Sequence, residues 1–129
     1  MFLRGFLDPA ISGGPGWRNY LSVIVQTYSV PSWGHEIDEI LERHFNPVTQ
    51  RFIGLLRKCF PSASAQDLYY SFQQLAGSVM LTLSPSKRIE RLSSGKCNAD
   101  DLAGAVQRMI PYATGGFREV CNGTRKVKR

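Results

Sequence analysis

Apolar residues recur at steps of three and four along most of this chain, and two long segments show the pattern most clearly. The first segment, Ala63–Ser84, and the second, Asn98–Val120, each place their apolar side chains on one stripe of an α-helix. The stripes consist of Ala65, Leu68, Tyr69, Phe72, Leu75, Ala76, Val79, Met80 and Leu83 in the first segment and of Leu102, Val106, Met109, Ile110, Ala113, Phe117 and Val120 in the second. The spacing therefore predicts two long amphipathic helices.

The opposite side of the first segment is unusually poor in charge. Asp67 is the only charged residue of the whole segment, and helices at a protein surface normally expose charged side chains to water. The residues on this side are Tyr70, Ser71, Gln73, Gln74, Gly77 and Ser78. A neutral, partly aromatic second side predicts packing on both sides of the helix, with another copy of the same chain as the second partner.

Shorter helical segments precede these two. Met1–Ile11 has the pattern of the end of a helix whose beginning is absent, and the glycines of residues 11–16 predict a loop. Helices are then expected over Trp17–Ser29, Trp33–Phe45 and Pro47–Phe60. Their expected inward residues are Trp17, Tyr20, Leu21, Ile24, Tyr28, Ile37, Ile40, Leu41, His44, Phe45, Val48, Phe52, Leu55, Leu56 and Cys59.

Capping and proline signals set the expected helix boundaries. Asn46-Pro47 predicts that one helix stops and another starts, because asparagine caps well and proline is tolerated at the first helical position. Ser64–Asp67 resembles a capping box, and the acids of Asn98–Asp101 suit the positive end of a helix dipole. Pro111 is expected to bend the last helix. No stretch alternates as a strand would, so the fold predicted is an all-α antiparallel bundle of about five to six helices.

Length and composition describe one globular domain. The chain has 129 residues, of which 43% are apolar and 20% are charged, and this balance excludes a disordered chain. Three widely spaced cysteines (Cys59, Cys97 and Cys121) indicate neither a disulfide framework nor a zinc site, which fits a reducing cytoplasm. No secretory signal and no stretch apolar enough for a bilayer helix is visible, so no membrane association is expected.

The net charge of +6 is concentrated at the carboxy terminus. Four of the last five residues are basic: Arg125, Lys126, Lys128 and Arg129. Residues 122–129 are therefore expected to form a solvated, disordered tail, and 1–121 the folded domain. A non-specific contact with nucleic acid phosphates through the tail is the alternative.

Catalytic constellations are scarce in this sequence. His35 and His44 are nine residues apart and lie on opposite sides of an ideal helix, so they cannot form a metal pair. His44 is expected to be a hydrogen-bonded core histidine. No nucleophile elbow, phosphate-binding loop or dinucleotide fingerprint is present. The expectation is a protein that is not an enzyme and that holds no metal and no cofactor.

Several runs of residues together resemble one known family. They are Gly16–Leu21, Phe45–Phe52, Asp67–Tyr70, Leu75–Gly77, Lys87–Ile89, Leu92–Gly95, Asp101-Leu102, Ile110–Tyr112 and Gly115-Gly116. The pattern is similar to the carboxy-terminal domain of TetR-type transcriptional regulators, from about Phe6 to Val120. In that family the domain binds a small ligand, and its last two long helices form the dimer interface. Such regulators begin with a helix-turn-helix DNA-binding head, and nothing before Phe6 could supply one.

The resemblance implies two sets of site residues. The candidates for the ligand site are Tyr20, Ile24, Tyr28, Phe52, Leu56, Tyr69, Phe72, Gln73 and Met80. The candidates for the dimer interface are Tyr70, Gln74, Gly77, Met109, Ala113, Gly116 and Phe117. The lack of charged clusters on the inward stripes favours an apolar or weakly polar ligand, although Arg51 or Arg88 could reach a carboxylate.

The function expected from the resemblance is that of an effector-binding and dimerisation domain of a cytoplasmic repressor. It would form a homodimer and control DNA binding by a helix-turn-helix head that these residues lack. The alternative is a stand-alone helical interaction module that forms a heterodimer with a related regulator and needs no ligand.

Overall fold

Helices and short turns account for the whole described chain. The computed structural model describes residues 7–9, 11–29, 35–84 and 86–123, and no strand occurs within these ranges. The helices are α1 (Gly14–Ser29), α2 (His35–Cys59), α3 (Ala65–Leu83), α4 (Arg88–Leu92) and α5 (Leu102–Asn122). The all-α fold class is confirmed. None of the described helices is both long enough and apolar enough to cross a membrane.

The chain divides into two compact units. Unit 1 comprises Met1–Trp33 and Gly77–Ile110, and unit 2 comprises Gly34–Ala76 and Pro111–Arg129. Buried side chains occur in both: Leu7, Leu21, Val25, Val79, Val106 and Met109 in unit 1, and Ile53, Ala63, Leu68, Ser71, Leu75, Phe117 and Cys121 in unit 2. The assignment of 1–121 to one domain stays a prediction, and the basic residues 125–129 lie outside the described ranges.

Helix α2 is longer than the sequence predicts. The expected break at Asn46-Pro47 is wrong, because Pro47 lies inside one continuous helix of 25 residues. A proline inside a helix removes one backbone hydrogen bond and costs about 3 kcal/mol, but the turns on either side keep theirs. The interior proline is therefore tolerated here, as Pro111 is in α5.

The glycine-rich segment before Trp17 is helical rather than a loop. Residues 11 and 12 are helical, Gly13 is a bend, and α1 begins at Gly14 with a positive φ of 76°. The Gly13 amide donates to the Pro9 carbonyl at 2.7 Å, and a β-carbon at Gly13 would collide with that carbonyl oxygen and with the Trp17 ring. Glycine is needed at this position because the two helical turns approach so closely.

Side-chain caps define the starts of the two long helices. The Ser64 hydroxyl accepts the Asp67 amide at 3.0 Å and donates to the Asp67 carboxylate at 2.7 Å, which confirms a cap at Ser64. At α5 the cap is Asp101, whose carboxylate accepts the Gly104 amide at 2.9 Å. The helix therefore starts at Leu102, four residues later than the predicted Asn98.

The connection between α3 and α5 is held by polar contacts within unit 1. The Glu90 carboxylate accepts the Ala99 amide at 3.1 Å, and the Ser93 hydroxyl accepts the Cys97 amide at 2.9 Å. Ser94 and Gly95 both have positive φ, at 52° and 79°, which reverses the chain after α4. None of the residues of α4 is buried. Hydrogen bonds, rather than apolar packing, therefore hold this connection in place.

The expected inward stripes are largely correct for α3 and α5, where Ala65 and Tyr69 are the exposed exceptions, and less so for the earlier helices. Leu68, Leu75 and Val79 of α3 and Val106 of α5 are buried as predicted. By contrast, several side chains predicted to be inward are exposed, and for them the prediction is wrong. They are Trp17, Tyr20, Ile40, His44, Val48, Leu55 and Cys59. A helical period identifies an apolar stripe, but the neighbouring helices decide how much of that stripe is buried.

Candidate ligand and dimer surfaces

Two phenylalanines from neighbouring helices form an aromatic pair in unit 2. Phe52 of α2 and Phe72 of α3 have ring centroids 5.7 Å apart, with planes tilted by 55°. Both side chains are half-buried, as is Leu56 one turn further along α2. Apolar rings that keep part of their surface accessible are able to contact an apolar ligand.

A polar pair lies on the same two helices. The Tyr69 hydroxyl, on α3, donates to the Gln50 side-chain carbonyl, on α2, at 3.1 Å. Both residues are exposed, and so is Gln73, one helical turn after Tyr69. Gln50 was not among the sequence candidates. Its signal was its position two residues before Phe52, in a run of the sequence that carries the family resemblance.

The remaining ligand candidates lie in unit 1. Tyr20 is exposed and meets the edge of Trp17, with centroids 5.6 Å apart and planes at 87°. Ile24 and Met80 are half-buried, and the side chain of Tyr28 lies outside the described part of the structure. The predicted ligand set is thus divided between the units, and the aromatic and polar pairs described above belong to unit 2.

A buried polar contact joins α3 and α5 within unit 2. The Ser71 hydroxyl lies 3.9 Å from the Cys121 thiol, and both side chains are buried. The sequence prediction placed Ser71 on the outward side of the helix, which is wrong. The Ser71 hydroxyl and the Cys121 thiol satisfy each other's hydrogen bonding without a larger polar group. Both side chains are small, so the pair fits between closely packed helices.

The dimer candidates separate into exposed and buried groups. Tyr70 is 64% exposed, and Gln74, Gly77 and Gly116 are exposed as well. A β-carbon at Gly77 or Gly116 would meet no atom within 4 Å, so neither glycine is covered by its own chain. Met109 and Phe117 are instead buried and Ala113 is half-buried, so these three pack inside their own units.

Two highly exposed apolar residues were missed by the sequence analysis. Leu81 of α3 is 75% exposed and Tyr112 of α5 is 78% exposed. Leu81 belongs to unit 1 and Tyr112 to unit 2. Tyr112 lies off the apolar stripe of α5, and this departure from the helical period could have indicated that its side chain is exposed.

The described residues offer little for catalysis. Among them no group of three or more His, Cys, Asp or Glu side chains lies close enough together to hold a metal ion. No described buried side-chain nitrogen or oxygen lacks a hydrogen-bond partner. The surfaces described above are suited to apolar contact and to neutral hydrogen bonds.

Comparison with known proteins agrees with the all-α fold. The family model for the tetracyclin repressor-like carboxy-terminal domain matches residues 1–116. Searches of curated proteins and of solved structures found no match. Domains of this family are parts of transcription regulators rather than enzymes. With the family model covering most of its length, the chain belongs to the TetR-like carboxy-terminal domain family.

Proposed function

We propose that this chain is the effector-binding and dimerisation domain of a TetR-type repressor that works in the cytoplasm. It forms a homodimer and binds a small apolar or weakly polar molecule. Binding changes the placement of helix-turn-helix heads, which belong to the intact regulator, and so changes operator affinity. Membership of the family supports the regulator class, and the surfaces of α2, α3 and α5 support the two binding roles.

The observation that carries the ligand proposal is the arrangement on α2 and α3 in unit 2. The Phe52–Phe72 pair supplies apolar ring surface, and the Tyr69–Gln50 pair supplies neutral hydrogen-bonding groups on the same helices. The Gln50 amide nitrogen has two donors, and its carbonyl accepts the tyrosine. These donors suit a carbonyl or hydroxyl oxygen on an otherwise apolar molecule.

The dimer proposal rests on the exposed sides of the two long helices. On the unit 2 part of α3 these positions carry Tyr70 and Gln74, neither of which is charged. Gly116 of α5 leaves room for close approach of a second backbone. Burial of Met109 and Phe117 in their own units leaves Tyr112 as the large apolar side chain that α5 offers.

Native mass spectrometry of the purified protein tests both roles together. The expected spectrum is a dimer that carries an additional small mass from the expression host. Phe72→Ala should remove the additional mass and keep the dimer, whereas Tyr70→Glu should give a monomer. Val23, which is exposed on α1, provides the matched controls Val23→Ala and Val23→Glu, which should change neither result.

The outcomes separate this function from the stand-alone interaction module. A wild-type monomer without bound mass contradicts the homodimer and the ligand site. In that case mixing with a related full-length regulator should give a heterodimer, as the interaction module requires. A dimer whose bound mass survives Phe72→Ala places the ligand elsewhere and refutes the role given to the aromatic pair.

A further inference from the structure

Residues 86–96 of unit 1, which we define as the basic segment, form an exposed stretch rich in basic side chains. It carries Lys87, Arg88, Arg91 and Lys96, and all four side chains are exposed. Among the described residues only Lys87 is in an ion pair, with Asp100 at 3.7 Å. Glu90, the one carboxylate of the segment, is already bonded to the Ala99 amide. With four cations and one carboxylate, the segment carries a net charge of +3 (4 − 1 = 3).

The short helix α4 within this segment contributes apolar surface as well. None of its residues is buried, and Leu92 is 74% exposed. Leu92 follows Arg88 by four residues, so the leucine and that arginine share one side of α4. Two cations three apart on one helix repel each other by a few tenths of a kcal/mol, and an opposite charge relieves that repulsion.

A complementary surface occurs at the start of α2 in unit 2. We define the acidic turn as Asp38, Glu39 and Glu42, all exposed, with Arg43 as the only cation beside them among the described residues. Asp38 and Glu42 are four residues apart, so they share one side of the helix and repel each other. Leu41, next to Glu42 in the chain, is half-buried and leaves apolar surface beside the carboxylates.

We propose that the basic segment of one protomer binds the acidic turn of a second copy of this chain. Opposite charge carries the proposal, because each surface relieves the repulsion within the other, and the exposed Leu92 and the half-buried Leu41 add apolar surface beside the charges. In a two-fold dimer the contact forms twice, once in each direction. The inference rests on the proposed dimerisation, to which it adds a salt-dependent contact away from the exposed sides of α3 and α5.

Charge reversal in two separate variants tests the proposal. Arg88→Glu/Arg91→Glu makes the basic segment negative, and Asp38→Lys/Glu42→Lys makes the acidic turn positive. Sedimentation equilibrium at about 0.05 M NaCl should show each variant alone with a dimer Kd about tenfold above that of the wild type. At about 0.5 M NaCl, where exposed charges are screened, the variants and the wild type should have similar Kd values.

Mixing the two variants gives the decisive result. In the mixed dimer the negative segment of the first variant faces the positive turn of the second, and the two unreversed surfaces face each other, also with opposite charge. An equimolar mixture should therefore dimerise with nearly the wild-type Kd. The control Lys58→Glu lies about 24 Å along α2 from Glu42, at 1.5 Å per residue, and should leave the Kd unchanged. It reports the effect of a general change in net charge.

Several outcomes overturn the proposal. If the mixture stays as weak as the single variants and only a chain with all four reversals recovers, the contact lies within one chain. If Arg88→Glu/Arg91→Glu dimerises normally but loses affinity for duplex DNA, the basic segment serves a nucleic acid. Variants that dimerise with the wild-type Kd at about 0.05 M NaCl, where exposed charges are least screened, refute this inference alone and leave the proposed function standing. A wild type that stays monomeric at both salt concentrations refutes the dimer itself.

Discussion

Replacing Ser64 by alanine should destabilise the protein through the first turn of α3. The Ser64 hydroxyl accepts the Asp67 amide at 3.0 Å and donates to the Asp67 carboxylate at 2.7 Å, so one substitution removes two hydrogen bonds. Loss of a serine cap costs about 1 kcal/mol. The second bond is exposed and adds about 0.5 kcal/mol. The free energy of unfolding should therefore fall by about 1.5 kcal/mol, which is about a tenfold change in the unfolding equilibrium.

Urea unfolding followed by circular dichroism measures this change. All variants are compared at one protein concentration, because the stability of a dimer depends on concentration. Ser64→Thr should retain most of the stability, since threonine also caps helices. Ser62→Ala is the matched control, because Ser62 is exposed two residues earlier. A stabilising role for the Ser64 cap is refuted if Ser64→Ala unfolds at the same urea concentration as Ser62→Ala. It is also refuted if Ser64→Thr loses as much stability as Ser64→Ala.

Two further predictions concern side chains of unit 2. The double replacement Phe52→Leu/Phe72→Leu should destabilise the protein by about 1 kcal/mol less than the sum of the two single replacements. Either single replacement already removes the ring pair, whose centroids are 5.7 Å apart. Additive effects in the same urea assay would show that the rings do not interact. Arg57 Nη1 donates to the Ala63 carbonyl at 2.9 Å in a half-buried position, so Arg57→Leu should cost about 1–2 kcal/mol. The exposed neighbour variant Lys58→Leu should cost less than about 0.5 kcal/mol, and equal losses for the two would contradict a role for the bond.

Much of this protein could be read from local sequence patterns. The apolar stripes of α3 and α5, the cap at Ser64 and Pro111 inside the last helix were predicted and are present. Helical periods and caps depend on residues within one or two turns of each other, so the sequence carries them directly. The family resemblance arises from the same local runs, and the family model confirms it.

Other features depend on which helices are neighbours. Ser71 is buried because Cys121, fifty residues away, lies 3.9 Å from its hydroxyl. Val48 and Leu55 belong to the apolar pattern of α2 and are nevertheless exposed. The candidate ligand site also depends on which helices are neighbours, because the Tyr69–Gln50 hydrogen bond joins α3 to α2.

The sequence by itself determined that the chain forms amphipathic helices, that α3 is capped at Ser64, and which family it resembles. The tertiary structure decided that α2 continues through Pro47, and which apolar residues are covered and which stay at the surface. The physical reason is that helix formation is governed by nearby backbone hydrogen bonds and side-chain caps. Burial, by contrast, is set by the packing of residues that are distant in the chain.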